Sequence, residues 1–296
     1  MRSSVICMLA VALGATEASA QKPFQSSVRT EMETALGRGG TPNPGGVLRF
    51  GFPRSDLRVV ANGVTLNPAF ALGSWVAFQR IGNHAMAMGD LVLLETEVES
   101  VMASLQQDGI EQTALHNHLL GESPRVMYMH IRAIGNPARI ARAVRRALEF
   151  SATPITPAAA AASTTPFALD TAALARTIGV HGKVNGGVYQ LSIPRREKIL
   201  MEKHEIPASM GVATAINFQP TGPGRAAITG DFVLLGREVN PVLSALAEGG
   251  IRVTAIHSHM IDEQPRLFFM HFWGNDDAVK LGRALRGALD RTGSKR

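Results

Sequence analysis

The sequence predicts an α+β fold built from two duplicated modules, each an antiparallel sheet with helices on one face, arranged with pseudo-two-fold symmetry. The composition is that of an ordinary globular protein, with 296 residues, 45% hydrophobic and 18% charged. It excludes a disordered, fibrous or disulfide-stapled chain. An internal repeat at a fixed offset predicts the duplication, and alternating helix-like and strand-like apolar patterns predict the α+β class.

The repeat covers nearly all of the chain. An ungapped comparison of residues 89–130 with 230–271, at an offset of 141 residues, gives 20 identities in 42 positions. We therefore predict a first module at 21–150 and a second at 167–296. The segment between them, 151–166, is rich in Pro, Ala and Thr, which is typical of an extended linker.

Hydrophobic spacing assigns the elements in chain order. Apolar residues at i, i+3 and i+4 predict helices, and short β-branched runs bounded by Gly or Pro predict strands. The predicted elements are a first helix (28–36, or 171–177 after an Asp170 cap), a strand (187–193), a hairpin (215–219 with 226–229), a second helix (98–105 or 239–246), two strands (112–120 with 125–131) and a last helix with apolar positions 140, 143, 144, 147 and 148. This order is typical of helices covering one face of an antiparallel sheet.

The N-terminal residues 1–20 are typical of a signal peptide. Arg2 supplies positive charge, an apolar run follows at 5–13, and the small residues at 18–20 fit a cleavage site. We therefore predict a mature chain that starts at Gln21 and is periplasmic or secreted. Cleavage leaves the net charge of +6 unchanged.

The single cysteine, Cys7, lies inside that predicted signal. The mature chain then has no thiol for a disulfide, a cysteine nucleophile, a thiolate zinc site or an iron–sulfur cluster. Ile6 is a poor match to the small residue of a lipid-attachment site, and no later stretch has the roughly 18 apolar residues of a membrane span. We expect no stable membrane anchor. Nucleic acid is excluded as a partner, because the chain is exported and only 5% aromatic.

Each module carries three histidines whose spacing suits a metal site. Alternation along a strand places His116 and His118 on one face, and a loop centred near Glu122 sets Ala114 opposite His130 on the next strand. The second copy has the same spacing. The predicted metal ligands are His116, His118, His130, His257, His259 and His271. Three converging imidazoles suit a divalent transition metal: zinc, copper, iron or manganese.

Duplicated carboxylates could complete such a site. Glu97 and Glu238 recur at the start of the second helix, and Glu122 and Glu263 recur in the loop between the histidine strands. A carboxylate there could bind the metal, orient an imidazole or act as a general base, and Glu97 and Glu238 are the catalytic candidates. Helix capping or salt bridging is an equally good interpretation of these residues.

Other polar patterns have simpler interpretations. Asp90 and Asp231 each follow a glycine, which is typical of a turn. The run containing His84, Met86 and Met88 would suit copper, but strand methionines usually fill cores and the second copy lacks the run. The basic face of the last helix could meet anionic lipid or cell-wall polymers, although a solvated helix face is the better interpretation.

Four segments carry a resemblance to a known family. They are 113–118 (TALHNH), 128–130 (YMH), 254–259 (TAIHSH) and 265–273 (PRLFFMHFW), and with them the chain resembles the LppY/LpqO domain family. The resemblance implies an exported domain present in two copies, and it assigns no catalytic residue. The chain departs from the lipoproteins of that family in lacking a convincing lipid-attachment site.

Two classes of function follow from these patterns. The first is an exported protein that binds a divalent transition metal, extending to a metal-dependent hydrolase of the cell envelope in which the metal activates water and a glutamate takes its proton. The alternative is a non-catalytic envelope module with a structural histidine network that binds an envelope ligand or a small molecule. A protein that sequesters or delivers metal is a further alternative.

Overall fold

The computed structural model describes residues 22–156 and 167–295. The predicted signal peptide at 1–20 lies outside the described residues, and so does the part of the predicted linker at 157–166. The module boundaries drawn from the repeat therefore stay predictions.

Module one contains a six-stranded antiparallel sheet in the order β1-β2-β5-β6-β9-β7. Its helices are α1 (Ser26–Leu36), α2 (Glu95–Gln107) and α3 (Pro137–Leu148), and its strands are β1 (Thr41–Asn43), β2 (Val47–Pro53), β3 (Val60–Ala61), β4 (Val64–Thr65), β5 (Gly73–Ile81), β6 (His84–Leu94), β7 (Glu111–His116), β8 (Glu122–Ser123) and β9 (Val126–Gly135).

Module two repeats this sheet in the equivalent order, β10-β11-β14-β15-β17-β16. Its helices are α4 (Thr171–Ile178), α5 (Val239–Glu248) and α6 (Ala278–Leu289), with 3-10 turns at Ala208–Met210 and Gly236–Glu238, and its strands are β10 (Lys183–Asn185), β11 (Val188–Pro194), β12 (Leu200–Met201), β13 (His204–Glu205), β14 (Ala213–Gly222), β15 (Arg225–Leu235), β16 (Arg252–His257) and β17 (Leu267–Asp277). The predicted α+β fold of two duplicated modules is confirmed.

The helices begin where capping chemistry allows and cover one face of each sheet. The Asp170 side chain accepts the Ala173 N–H at 2.9 Å, as predicted, and Asn136 caps α3 in the same way. Helices α1, α2 and α3 pack their apolar faces on the module-one sheet around Phe50 and Phe78. Helices α4, α5 and α6 form the equivalent core of module two. Burial of these apolar faces stabilises each module as a unit.

The opposite face of each sheet packs against the partner module. Met86 and Met88 of β6 share one apolar cluster with Met210 of module two. Phe70 meets Trp273 edge to face at 6.2 Å in a second cluster. The methionines of the His84 run are therefore core residues, which agrees with the simpler interpretation of that run.

Reciprocal hydrogen bonds mark the pseudo-two-fold axis. The Thr113 hydroxyl donates to the carbonyl of His259 at 2.6 Å, and the Thr254 hydroxyl donates to the carbonyl of His118 at 2.6 Å. Each bond joins one edge strand, β7 or β16, to the histidine-bearing loop that follows the other. The histidine-bearing ends of the two sheets consequently meet at the axis.

Candidate functional site

The six predicted histidines lie together as one group on the pseudo-two-fold axis, here called the histidine cluster. Their rings pair across the two modules, with centroid separations of 3.7 Å for His116 and His257, 3.8 Å for His118 and His271, and 3.6 Å for His130 and His259. The sequence predicted a separate triplet in each module. The structure merges both triplets into one shared cluster, which no pattern within a single module could indicate.

The strand register brings the histidines of each module together nearly as predicted. Ala114 pairs with His130 in the β7–β9 ladder, which confirms the predicted register. Strand β7 ends at His116, so His118 lies in the following bend and not on the strand. The predicted strand 112–120 is thus too long. Strand β16 ends in the same way before the second histidine of module two.

The surroundings hold every imidazole of the cluster neutral. Burial, followed by the neighbouring His257 imidazole, lowers the pKa of His116 from 6.5 to about 3. Burial, followed by neighbouring imidazoles, lowers the pKa well below 6.5 for His118, His130, His259 and His271. Burial also lowers the pKa of His257. Neutral imidazole is the form that binds a metal ion.

One nitrogen of each ring in the cluster is left without a partner. Among the described residues, all six Nε2 atoms are buried and accept or donate no hydrogen bond. The Nδ1 atom faces a backbone carbonyl in three rings: His116 to Asn117 at 3.4 Å, His257 to Ser258 at 3.4 Å and His271 to Gly230 at 3.1 Å. Because a carbonyl can only accept, the proton belongs on Nδ1 in these rings, and the Nε2 lone pair is free for a ligand.

Four of the rings are close enough to share one ion. The ligand nitrogen atoms of His116, His257, His259 and His271 all lie within 4.8 Å of one another. In a tetrahedral zinc site with bonds of about 2.0–2.1 Å the nitrogens are about 3.4 Å apart, so the four nitrogens would have to move closer together to share one tetrahedral ion. Three of the four rings are those that face a carbonyl through Nδ1, the usual orientation of a metal-bound histidine.

Two aspartates lie beside the cluster, where sequence reasoning did not place them. Asp90 and Asp231 lie within strands β6 and β15, directly opposite His130 and His271, and so the turn interpretation is wrong. Asp90 Oδ1 is 3.9 Å from His130 Nε2, and Asp231 Oδ1 is 4.0 Å from His271 Nδ1. Burial raises the pKa of Asp90 to about 7 and that of Asp231 well above its ordinary value. Their duplication was the one signal that could have identified them.

Glu97 and Glu238, the predicted catalytic candidates, lie apart from the cluster. Glu97 forms a bidentate pair with buried Arg54 at 2.8 and 3.0 Å. Glu238 pairs with buried Arg195 at 2.8 and 2.9 Å. Burial acts to raise the pKa of each glutamate, but the arginine and backbone hydrogen bonds outweigh it and hold each pKa below 4.5. In the described part of the chain neither carboxylate bonds to a cluster histidine. Sequence analysis missed both arginine partners.

Glu122 and Glu263 shape the turn that precedes the strand carrying the third histidine of each module. Glu122 accepts the Val126 N–H at 3.3 Å, and Glu263 accepts the Leu267 N–H at 2.8 Å. Arg266 lies 3.5 Å from Glu263, a salt bridge of the kind that the sequence left open. Burial raises the pKa of Glu122 to about 7. These side chains position the strand and do not reach the unpartnered ring nitrogens.

An open cleft of about 1230 Å³ between the two modules leads to the cluster. Its lining includes four of the histidines and both aspartates: His118, His130, His259, His271, Asp90 and Asp231. The turns between β1 and β2 and between β10 and β11 contribute its walls. A cleft of this size admits a small organic ligand as well as an ion.

One family model matches the chain twice, over residues 30–150 and 172–291, and is described as Domain of Unknown Function (DUF1259). No curated protein matches the chain. Among solved structures the chain is similar to a double-ringed trimeric shell protein of the RMM microcompartment, at 10% identity and a TM-score of 0.21, over 71% of this chain and 84% of that one. It is also similar to the trimeric bacterial microcompartment shell protein PduB, at 14% identity and a TM-score of 0.19, over 82% of this chain and 86% of that one. EtuB from Clostridium kluyveri is similar at 11% identity and a TM-score of 0.21, over 82% and 87%.

These comparisons correct three predictions. The matching family is Domain of Unknown Function (DUF1259), so the assignment to the LppY/LpqO family is wrong. Two of the three similar structures are described as microcompartment shell proteins and none as an envelope hydrolase. The comparisons support neither the metal-dependent hydrolase nor the periplasmic or secreted location, and both predictions are withdrawn. TM-scores of 0.19 to 0.21 give this chain neither a shell role nor a location.

Within residues 22–156 and 167–295, no helix has both the length and the apolar character needed to cross a bilayer.

Proposed function

The chain belongs to the family described as Domain of Unknown Function (DUF1259), and we propose that it is a non-catalytic binding module whose two halves hold one divalent transition-metal ion between them. The six buried, unpartnered Nε2 atoms of the histidine cluster carry this proposal. Leaving a buried polar atom unsatisfied costs about 1–3 kcal/mol. Four of these six rings have ligand atoms within 4.8 Å of one another, which favours an external partner that accepts several lone pairs at once, as a metal ion does.

The ligand set favours a closed site over a catalytic one. Four neutral imidazoles would fill a tetrahedral ion, whereas a catalytic site keeps one position open for water or substrate. Glu97 and Glu238 are already saturated by Arg54 and Arg195, so neither is free to take a proton from bound water. Sequestration or delivery of the ion suits this arrangement better than turnover does.

A purely structural histidine network is the competing explanation. Such a network would satisfy its own ring nitrogens, with one imidazole donating to the next. Two of the three ring pairs across the axis instead stack face to face, at 3.6 and 3.8 Å between centroids, and the third pair, His116 with His257, meets at a tilt of 33° and 3.7 Å. Stacking leaves the Nε2 atoms unpaired and therefore favours metal binding.

Metal content tests the proposal directly. We would purify the full chain without a histidine tag and measure zinc, copper, iron and manganese by mass spectrometry, before and after loading with each metal. One equivalent of a single metal is expected. At a metal concentration of about 100 times Kd, binding should raise the free energy of unfolding by about 2.7 kcal/mol.

The variant that removes the site is His116→Ala/His257→Ala, which should lose both the ion and the added stability. Its matched control is His84→Ala/His204→Ala, because both of these histidines lie outside the cluster and His84 is exposed. The control should retain one equivalent. A wild-type protein that binds none of the four metals would overturn the proposal in favour of the structural network.

A further inference from the structure

The floor of the cleft is formed by equivalent histidines of the two modules, but the residues of its walls differ between the modules. In module one, Arg49 of β2 lies beside Trp75 of β5, with the guanidinium carbon 3.8 Å from the ring centroid. Trp75 pairs with Asp90 in its sheet, and the residue that pairs with Asp231 in module two is Ala215. A cluster built from equivalent histidines thus lies below walls that are not equivalent.

The position matched to Arg49 shows the same change. Arg49 pairs with Ala77, and the equivalent pairing in module two joins Gln190 to Asn217. Both Arg49 and Gln190 line the cleft. One wall therefore carries a cation on an aromatic ring, and the other carries a neutral amide. A symmetric ligand would have no use for this difference.

The Arg49 guanidinium has spare binding capacity. Its Nη1 donates to the carbonyl of Ser209 in module two at 2.9 Å, and this is the one hydrogen bond of the guanidinium among the described residues. Within the described ranges no carboxylate lies within ion-pair distance of it. A guanidinium has five N–H donors. Enclosing a cation whose N–H donors are unpaired costs free energy unless an anion pairs with it.

Arg38 adds a second cation to the same cleft. Its guanidinium carbon lies 4.7 Å from the Phe52 ring centroid, and its Nη1 atom is buried without a hydrogen-bond partner. Lys183 also contributes to the lining. The two aspartates of the cleft lie 3.9 to 4.0 Å from histidines at the floor, and Asp90 attracts Arg49 electrostatically without forming a direct ion pair with it.

We propose that the cleft binds an organic anion whose carboxylate or phosphate group pairs with the guanidinium of Arg49, with Arg38 as a second cationic contact. Arginine is the side chain best suited to hold such a group, since two parallel N–H bonds match its two oxygens. This wall site is separate from the histidine cluster and does not depend on a bound metal.

Calorimetric titration of the full chain with succinate and with inorganic phosphate tests this site and distinguishes a carboxylate from a phosphate ligand. At least one probe should bind saturably. The test variant is Arg49→Gln, which gives module one the residue that module two already tolerates at the matched position. Its affinity should fall at least about tenfold, since a hydrogen bond to a charged group is lost.

Two controls separate the wall site from other causes. Arg139→Gln removes one exposed positive charge from α3, outside the cleft, and should leave the affinity unchanged. The His116→Ala/His257→Ala variant should still bind the anion even where it has lost the metal. Failure of both probes to bind the wild-type chain, or equal binding by Arg49→Gln, would overturn the proposal. The proposal would also be overturned if the His116→Ala/His257→Ala variant lost anion binding while Arg49→Gln kept it, because the anion would then bind at the histidine cluster.

Discussion

The Arg54–Glu97 pair and the histidine cluster are both polar centres inside the fold, but their atoms are satisfied to different degrees. Every guanidinium nitrogen of Arg54 donates, to Asp56, to the Val92 carbonyl and to both oxygens of Glu97. Every Nε2 atom of the cluster lacks a partner. The residues of both centres recur in module two: the ion pair recurs there as a second pair, Arg195 with Glu238, whereas the cluster is one centre that takes three histidines from each module. What distinguishes the structural centre from the binding centre is whether the polar side-chain atoms already have hydrogen-bond partners within the protein.

The difference also concerns what each centre joins. The ion pair lies within one module and fastens the start of α2 to the strand before it, through the Leu94 N–H that Glu97 accepts at 2.8 Å. The cluster lies between the modules and draws on both. A structural pair can be completed inside one copy, whereas the cluster exists only when two copies meet. The comparison predicts that the two centres respond differently to acid and to mutation.

Mild acid is expected to have the largest effect, because it acts on all the cluster histidines together. Below pH 6.5 the unfolded chain takes up a proton at each histidine, while native His116 resists protonation down to about pH 3. The unfolded state then binds more protons. The free energy of unfolding should fall by up to about 1.4 kcal/mol per pH unit for each histidine. Urea unfolding of metal-free protein across this range measures the slope.

Protonation of Asp90 changes the free energy of unfolding in the opposite direction and so reduces that slope. Its native pKa of about 7 lies above the ordinary 3.8, so protonation favours the native state as pH falls through 7, and Asp231 shares this direction. Glu122, whose pKa burial also raises to about 7, acts in the same direction, and six histidines outweigh these three carboxyls. A His130→Gln/His259→Gln variant should therefore show a slope smaller by up to about 2.7 kcal/mol per pH unit. Stability that stays constant from pH 6.5 to pH 5 would refute a neutral cluster.

Breaking the saturated pair is expected to have the next largest effect. Glu97→Gln keeps the shape of the side chain but removes the charge that faces fully buried Arg54. Removing one partner of a buried ion pair costs about 3–5 kcal/mol when the other charge is left unpaired, and because Asp56 still pairs with Arg54 at 2.8 Å the loss should lie at the lower end of that range. Urea unfolding of the variant at neutral pH measures this loss. Metal content should stay at the wild-type value, since the pair lies outside the cluster.

The matched control lies in the same turn of α2. Glu95 pairs with Arg125 at 3.2 Å, and both side chains are more than half exposed. Glu95→Gln should therefore change the free energy of unfolding by less than about 1 kcal/mol. A Glu97→Gln protein that is as stable as wild type but binds no metal would reverse the comparison. Glu97 would then be part of the metal site.

The sequence contained most of the fold and half of the site. The 141-residue repeat predicted two α+β modules, and strand parity predicted the pairing of Ala114 with His130. Both depend on periodicity within one chain segment, which sequence records directly. The convergence of three histidines in each module follows from the same periodicity.

What could not be predicted depends on contacts between distant segments. The contact between His116 and His257 could be predicted only if strands β7 and β16 were known to meet. The sequence does not show this, because two half-buried edge strands have the same pattern whether or not they pack together. Glu97 was a catalytic candidate because its partner Arg54 lies 43 residues away and has no spacing signal. Asp90 looked like a turn residue because Gly89 precedes it, although its strand is buried on both faces.

The smallest expected effect tests the contact that makes one cluster out of two triplets. Thr113→Val keeps the shape of the side chain but removes the hydroxyl that donates to the His259 carbonyl at 2.6 Å, and Thr254→Val removes its counterpart to His118. Each change should lower the free energy of unfolding by about 1 kcal/mol, and the double variant by about 2 kcal/mol, as for lost neutral hydrogen bonds. Exposed Thr41, whose Thr41→Val variant should be neutral, is the control. Because each carbonyl belongs to a cluster histidine, the double variant should also bind metal more weakly, as titration with zinc would measure. Losses no larger than the control's would mean that apolar packing alone aligns the two modules and that the cluster needs no polar support at its edge.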